Sequence, residues 1–173
     1  MDIGALIKNK SIKPKEKTVQ ISGLLLRGDL GVHELIAFAD KAKDAEKATC
    51  IESLEFTSKI NASLVSVKAF TFVCEQLASK APRVKWESAK VIANSAHLFP
   101  EQLNTAIGAL LPNTEDKGTV VRWSAAYALG EVMKINGKHQ ANLLKAIESI
   151  VLREEKNSIK KIYLSAIKKA FEA

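Results

Sequence analysis

Apolar residues return along most of this chain every three or four positions, which is the spacing of one face of an α-helix. No stretch alternates apolar and polar residues between hairpin turns. On a helical wheel Val121, Ala125, Ala128, Leu129 and Val132 fall on one side. Val84, Ser88, Val91, Ile92 and Ser95 do the same, as do Ile159, Tyr163, Ala166, Ile167 and Ala170. Breaker residues divide these stripes. Pro14, Pro82 and Pro100 stand at the entries of periodic segments, and Pro112 follows the run Ala-Ile-Gly-Ala-Leu-Leu. Proline suits a first helical turn or the stretch past a helix and disrupts an interior. With Gly31, Asn61-Ala-Ser, Asn113-Thr-Glu-Asp-Lys-Gly and Asn136-Gly, the pattern predicts helices over 14–27, 31–42, 44–60, 65–79, 82–98, 100–111, 118–135, 139–154 and 157–172.

The pattern also repeats. Val84-Lys-Trp-Glu-Ser-Ala-Lys-Val-Ile-Ala aligns with Val121-Arg-Trp-Ser-Ala-Ala-Tyr-Ala-Leu-Gly, 37 residues later. Ile159-Lys-Lys-Ile-Tyr-Leu-Ser-Ala-Ile lies 38 residues beyond that, and a weaker copy, Glu46-Lys-Ala-Thr-Cys-Ile-Glu-Ser-Leu, lies 38 residues before Val84. A steady period of this length marks a solenoid of helix pairs. One pair cannot bury its apolar face alone, and stacked neighbours bury it jointly.

Val121-Arg-x-x-Ala-Ala-x-Ala-Leu-Gly resembles the second helix of a HEAT repeat, and Leu103-Asn-Thr-Ala-Ile-Gly-Ala-Leu-Leu resembles the first. The resemblance covers 62–98 and 100–135 well, 138–172 fairly and 31–60 weakly. It implies an all-α, right-handed α-α superhelix of the armadillo-like class, with about four HEAT-like helix pairs plus an N-terminal helix. The chain then divides into a basic N-terminal tail, 1–13, and a repeat domain, 14–173. The resemblance also implies cross-repeat hydrogen bonds from an Asp ahead of the Val-Arg pair. Asp116 fits that place, and Asp44 is a second candidate. No Asp precedes Lys85, and Glu154 and Glu155 alone precede Lys160.

In such a solenoid the second helices line the concave surface. The positions opposite the apolar stripe are Trp86, Lys90, Ala93 and His97 in one helix and Trp123, Tyr127, Gly130 and Lys134 in the next. Lys161, Ser165, Lys168 and Glu172 follow, and Ala48, Glu52, Glu55 and Lys59 come before. Trp86, Lys90, His97, Trp123, Tyr127, Lys134, Lys161 and Lys168 are therefore the candidate partner-binding residues. Trp and Tyr give large contact area at low entropy cost. The cations suit acidic side chains or phosphates. Each Trp has two possible settings, open on this face or packed between repeats. Lys85 and Arg122 read as repeat-to-repeat hydrogen bonders.

Composition narrows the function. The net charge is +7, with Lys8, Lys10, Lys13, Lys15 and Lys17 crowded near one end and a second basic excess after Arg122. That permits an acidic protein partner, nucleic acid or an anionic surface. Glu52 and Glu55 on the same face argue against a uniform phosphate groove. Cys50 and Cys74 lie among small and apolar residues and read as buried reduced thiols of a cytoplasmic protein. No apolar run approaches the ~20 residues that span a bilayer, and no leader pattern is present. His33, His97 and His139 fall in separate segments without ligand spacing, so no metal or cofactor is expected. No phosphate loop, dinucleotide fingerprint or nucleophile elbow occurs. Some HEAT-like proteins are DNA glycosylases that need a groove Asp. Here Asp2, Asp29, Asp40, Asp44 and Asp116 all fall outside the face. The expected function is a non-enzymatic protein-interaction scaffold, with non-catalytic nucleic-acid binding as the alternative. A third possibility is one subunit of a larger solenoid, since Ile162, Leu164 and Phe171 lie near the last helix's uncovered side.

Overall fold

The structure is a computed structural model that describes residues 2–172. Among the described residues it is all-helical, with ten α-helices and no strand. They are α1 (Ile3–Lys8), α2 (Pro14–Arg27), α3 (Val32–Lys41), α4 (Asp44–Ile60), α5 (Val67–Gln76), α6 (Pro82–Ser95), α7 (Leu103–Leu110), α8 (Thr119–Met133), α9 (Gln140–Arg153) and α10 (Asn157–Phe171). The punctuation residues act as their chemistry requires. Pro14 and Pro82 are the first residues of α2 and α6. Gly28 closes α2 in the left-handed region, at φ 77°, where a Cβ would be strained. Ser66 caps α5 by accepting from the Ala69 N–H.

The even-numbered helices pack side by side in chain order, α2 to α4 to α6 to α8 to α10, and the odd-numbered ones form a second layer against them. The expected stripes lie between the layers: Val84, Val91, Ile92, Val121, Ala125, Ala128, Leu129 and Val132 are all buried. In α10 the stripe is covered at Ile159, Tyr163 and Ala166 and half-covered at Ile167 and Ala170. The architecture is the expected α-solenoid of four helix pairs plus α2, and α2 acquires a short partner of its own. Residues 3–8, inside the stretch that the charge pattern marks as tail, form α1. Ile3, Leu6 and Ile7 share one face, Leu6 and Ile7 are buried, and Asp2 caps the helix through the Gly4 N–H. Lys17 of α2 donates to the Ile7 carbonyl and holds the short helix in place.

A polar ladder joins successive repeats. Lys47 reaches Gln76, Lys85 reaches Asp116 at 2.8 Å, and Arg122 reaches Glu154 at 3.0 Å. The donors stand at equivalent register in α4, α6 and α8. Each acceptor lies at the end of the next repeat's first helix or in the turn after it. Asp116 takes its expected place, and Glu154 completes the rung above it. At the lowest rung a glutamine does the work, so no aspartate is needed ahead of Lys85. Burial alone pushes the Asp116 carboxyl up, but the Lys85 hydrogen bond, the Gly118 N–H and the lysine charges outweigh it and leave it below the ordinary carboxylate range. Glu154 is lowered in the same way, with burial outweighed by Arg122 and the Lys156 N–H.

Candidate functional site

The exposed face of the second helices divides into two halves. In the α4–α6 half, Trp86 is half-buried and its Nε1 donates to Glu87 Oε1 at 2.8 Å. Glu87 is only 4% exposed, and its other oxygen lies 2.8 Å from Lys90 Nζ. Lys90 also approaches Glu55 of α4, at 3.7 Å. Beside them Glu52 pairs with Arg83 of α6 and accepts from Thr18 Oγ of α2 at 2.9 Å, so one carboxylate ties three second helices together. Burial raises the Glu87 carboxyl above its ordinary range. Lys90 and the Trp86 N–H oppose the rise, and the Glu52 charge adds to it.

In the α8–α10 half, Trp123 is 40% exposed and stacks on Tyr127, one turn further along its own helix, with ring centroids 5.6 Å apart and planes at 17°. Burial raises the Tyr127 phenol, Glu131 and Glu55 raise it further, and Lys90 opposes them. Lys134 pairs with Glu131 at 2.6 Å. A shallow pocket of about 300 Å³ runs between α8 and α10, with Tyr127, Glu131, Lys134, Lys161 and Ile162 among its walls. Lys161 and Lys168 are exposed, and Lys168 lies 3.9 Å from Glu172. His97 is exposed in the 3₁₀ turn after α6, apart from the aromatic pair.

Several sequence expectations are sharpened here. Trp123 stands open and Trp86 is partly packed, so the two tryptophans take different settings. Ala93 and Gly130, placed on the open face by the wheel, are buried at helix crossings. A Cβ on Gly130 would lie 3.2 Å from the Ala166 Cβ, so glycine lets α8 and α10 approach closely. Glu87 and Glu131 are site residues that the wheel leaves out. The signal for both is a Glu three residues ahead of Lys90 and of Lys134, the helical spacing for an ion pair. Cys50 and Cys74 are buried free thiols, and burial pushes both up to about 12. Among the described residues no group of three or more His, Cys, Asp or Glu side chains could hold a metal ion, and no helix is long and apolar enough to cross a membrane.

No protein-family model and no curated protein matches the chain. Solved structures do. A designed armadillo repeat protein in complex with the peptide (KR)4 superposes with a TM-score of 0.76 at 16% identity, over 97% of this chain and 80% of that one. The complex of CpcE and CpcF of phycocyanin lyase, from a Nostoc species, gives 0.74 at 19% identity, over 95% of this chain and 96% of that one. Computationally designed armadillo repeat proteins for modular peptide recognition give 0.74 at 13% identity, over 96% of this chain and 80% of theirs. Identities this low speak for the fold. The chain therefore has an armadillo-like HEAT repeat fold.

Proposed function

We propose that this chain is a non-enzymatic protein-interaction module that holds a segment of another protein along the face of its second helices, with Trp123 and Tyr127 as the anchor. The observation that carries this reading is the stacked Trp123–Tyr127 pair, with Trp123 open, on α8 in the row of side-by-side helices. Stacking fixes both rings before a partner arrives, so little side-chain entropy remains to be lost on binding. The α8–α10 pocket beside the pair gives a partner side chain somewhere to go.

The charges of the face bear on the partner's chemistry. Lys90 is taken up by Glu87 and Glu55, and Lys134 by Glu131. These two lysines have carboxylates of their own, which removes much of the case for an acidic partner or a phosphate backbone at the centre of the face. The open Trp123 ring, with Glu131 on the same helix, suits a cationic side chain, which the ring attracts through its π face. The likeness to a designed armadillo protein bound to (KR)4 supports the same choice.

Trp86 and Trp123 are the two tryptophans of the chain, so intrinsic fluorescence reports on the face directly. Titration with an octapeptide of alternating Lys and Arg is expected to shift the emission saturably, and Trp123→Ala to abolish the shift while helicity by circular dichroism persists. An Asp/Glu octapeptide and a short DNA duplex are expected to leave the emission unchanged. A response to the duplex that steepens as salt falls would replace this reading with the nucleic-acid one.

A further inference from the structure

The repeats bury a flank as well as a face. Along α6 the residues turned towards the next repeat are Lys85, Ala89, Ala93 and Ala96, and the three alanines are 1–7% exposed. In α8, 37 residues on, the same register holds Arg122, Ala126, Gly130 and Met133. Ala126 and Met133 are fully covered, and Gly130 touches Ala166 of α10. In α4 the register holds Lys47, Ile51, Glu55 and Ser58. The side chain of Asn94 in α6 hydrogen-bonds to the Glu55 carbonyl and to Ser58 Oγ. Three helices in succession thus present one cation followed by residues that the neighbouring repeat covers.

In α10, 38 residues after α8, that register holds Lys160, Leu164, Lys168 and Phe171. Leu164 is 52% exposed and Phe171 55%. Lys160 stands where Lys47, Lys85 and Arg122 stand, yet among the described residues its side chain has no hydrogen-bond or ion-pair partner. A flank that only closes a solenoid is polar. This one keeps the ladder cation and two large apolar side chains, as a flank that receives a further repeat does. Leu152, 87% exposed near the end of α9, adds apolar surface in the other layer.

A second copy of this chain makes a poor occupant. α10 carries Lys160, Lys161, Lys168 and Lys169 against Glu172, and the opposite end carries Lys8, Lys10, Lys13, Lys15 and Lys17 against Glu16. Head-to-tail or head-to-head, two copies would bring cations together. We infer that the open flank of α10 docks a helix pair of a different helical-repeat protein, whose interhelical turn offers a carboxylate to Lys160 as Asp116 does to Lys85 and Glu154 to Arg122. The partner's helix covers Leu164 and Phe171 as α10 covers Ala126 and Met133.

A photo-cross-linking amino acid at position 164 of the full chain, in the cells the protein comes from, tests this. Mass spectrometry of the adduct is expected to map it to a helix pair of another helical-repeat protein, next to a turn that contains Asp or Glu. Lys160→Glu should lower the adduct yield about tenfold or more, as for close interfacial charge pairs. Trp123→Ala should leave it unchanged, which separates this surface from the aromatic face. An adduct with another copy of this chain, an adduct with a segment outside any helical repeat, or a yield indifferent to Lys160→Glu would each overturn the inference. So would a yield no higher than that from the same probe at Val67, an exposed position at the start of α5.

Discussion

The two halves of the second-helix face handle the same problem differently. Between α4 and α6, Glu52 and Glu55 are met across helices by Arg83 and Lys90, Lys90 also pairs with Glu87 within α6, and Glu55 and Glu87 are buried. Between α8 and α10 the ion pairs, Glu131–Lys134 and Lys168–Glu172, each lie within one helix, the first about a third exposed and the second mostly so. Of the aromatic pair, Trp123 stands open. Both halves have the same backbone plan, so the contrast lies in what each does with its polar groups. The first uses charge to fix helix to helix. The second keeps Trp123 and several lysines accessible, and the proposed anchor lies there.

Lys90→Met should separate the halves most sharply. It leaves Glu87 buried beside Glu52 and Glu55 without a nearby cation, at a cost of about 3 kcal/mol near neutral pH. Without Lys90 the Glu87 carboxyl rises further. Protonation then favours the folded state, so the variant recovers stability as pH falls through the carboxylate range and loses it again as pH rises. Lys134→Met, at the exposed pair, should cost ~1 kcal/mol or less. Urea denaturation followed by circular dichroism at neutral and acid pH measures both, and equal costs would remove the distinction.

Arg122→Gln breaks the ladder rung between the α7–α8 and α9–α10 repeats and should cost about 1–3 kcal/mol at neutral pH. Glu154 is lowered by Arg122, so the rung contributes above the ordinary carboxylate range and is lost as pH falls through it. The gap between variant and wild type should therefore narrow in acid, opposite in sign to a raised buried acid. Trp86→Phe removes the N–H donor to buried Glu87 and should cost about 1–2 kcal/mol. Trp123→Phe should change stability by ~0.5 kcal/mol or less, because the ring is 40% exposed, a phenyl keeps the contact with Tyr127, and among the described residues the indole N–H donates to no protein group. Thermal melts of the pair would show whether only the first tryptophan is structural.

Much of the fold was legible because the chain marks its own boundaries. The segments 14–27 and 44–60 coincide with α2 and α4, fixed by Pro14 at a first turn, Gly28 at a left-handed cap and Asp44 at a helix start. The first repeat was faint for a reason visible in α4. Its inward positions include Thr49, Cys50, Ser53 and Thr57, which blur the apolar stripe. Their hydroxyls are satisfied by carbonyls one turn back, Thr49 to Ala45, Ser53 to Thr49 and Thr57 to Ser53. α1 was hidden by the density of lysines that follows it. The face could be drawn from the helical period, but its electrostatics could not. The spacing signals Glu87 for Lys90, but its second carboxylate, Glu55, is 35 residues away on another helix, and a wheel treats each helix alone.

The ladder has a consequence for how the molecule opens. In a one-dimensional stack each unit is held only by its neighbours, so the end units open first. The α9–α10 unit is held from one side, across the Arg122–Glu154 rung and the Gly130–Ala166 crossing, with Leu164 and Phe171 already wet. Its amide hydrogens should exchange before those of α4, α6 and α8. A partner stacked on α10 would turn an end unit into an interior one, and slowed exchange there would record, helix by helix, that the array had grown.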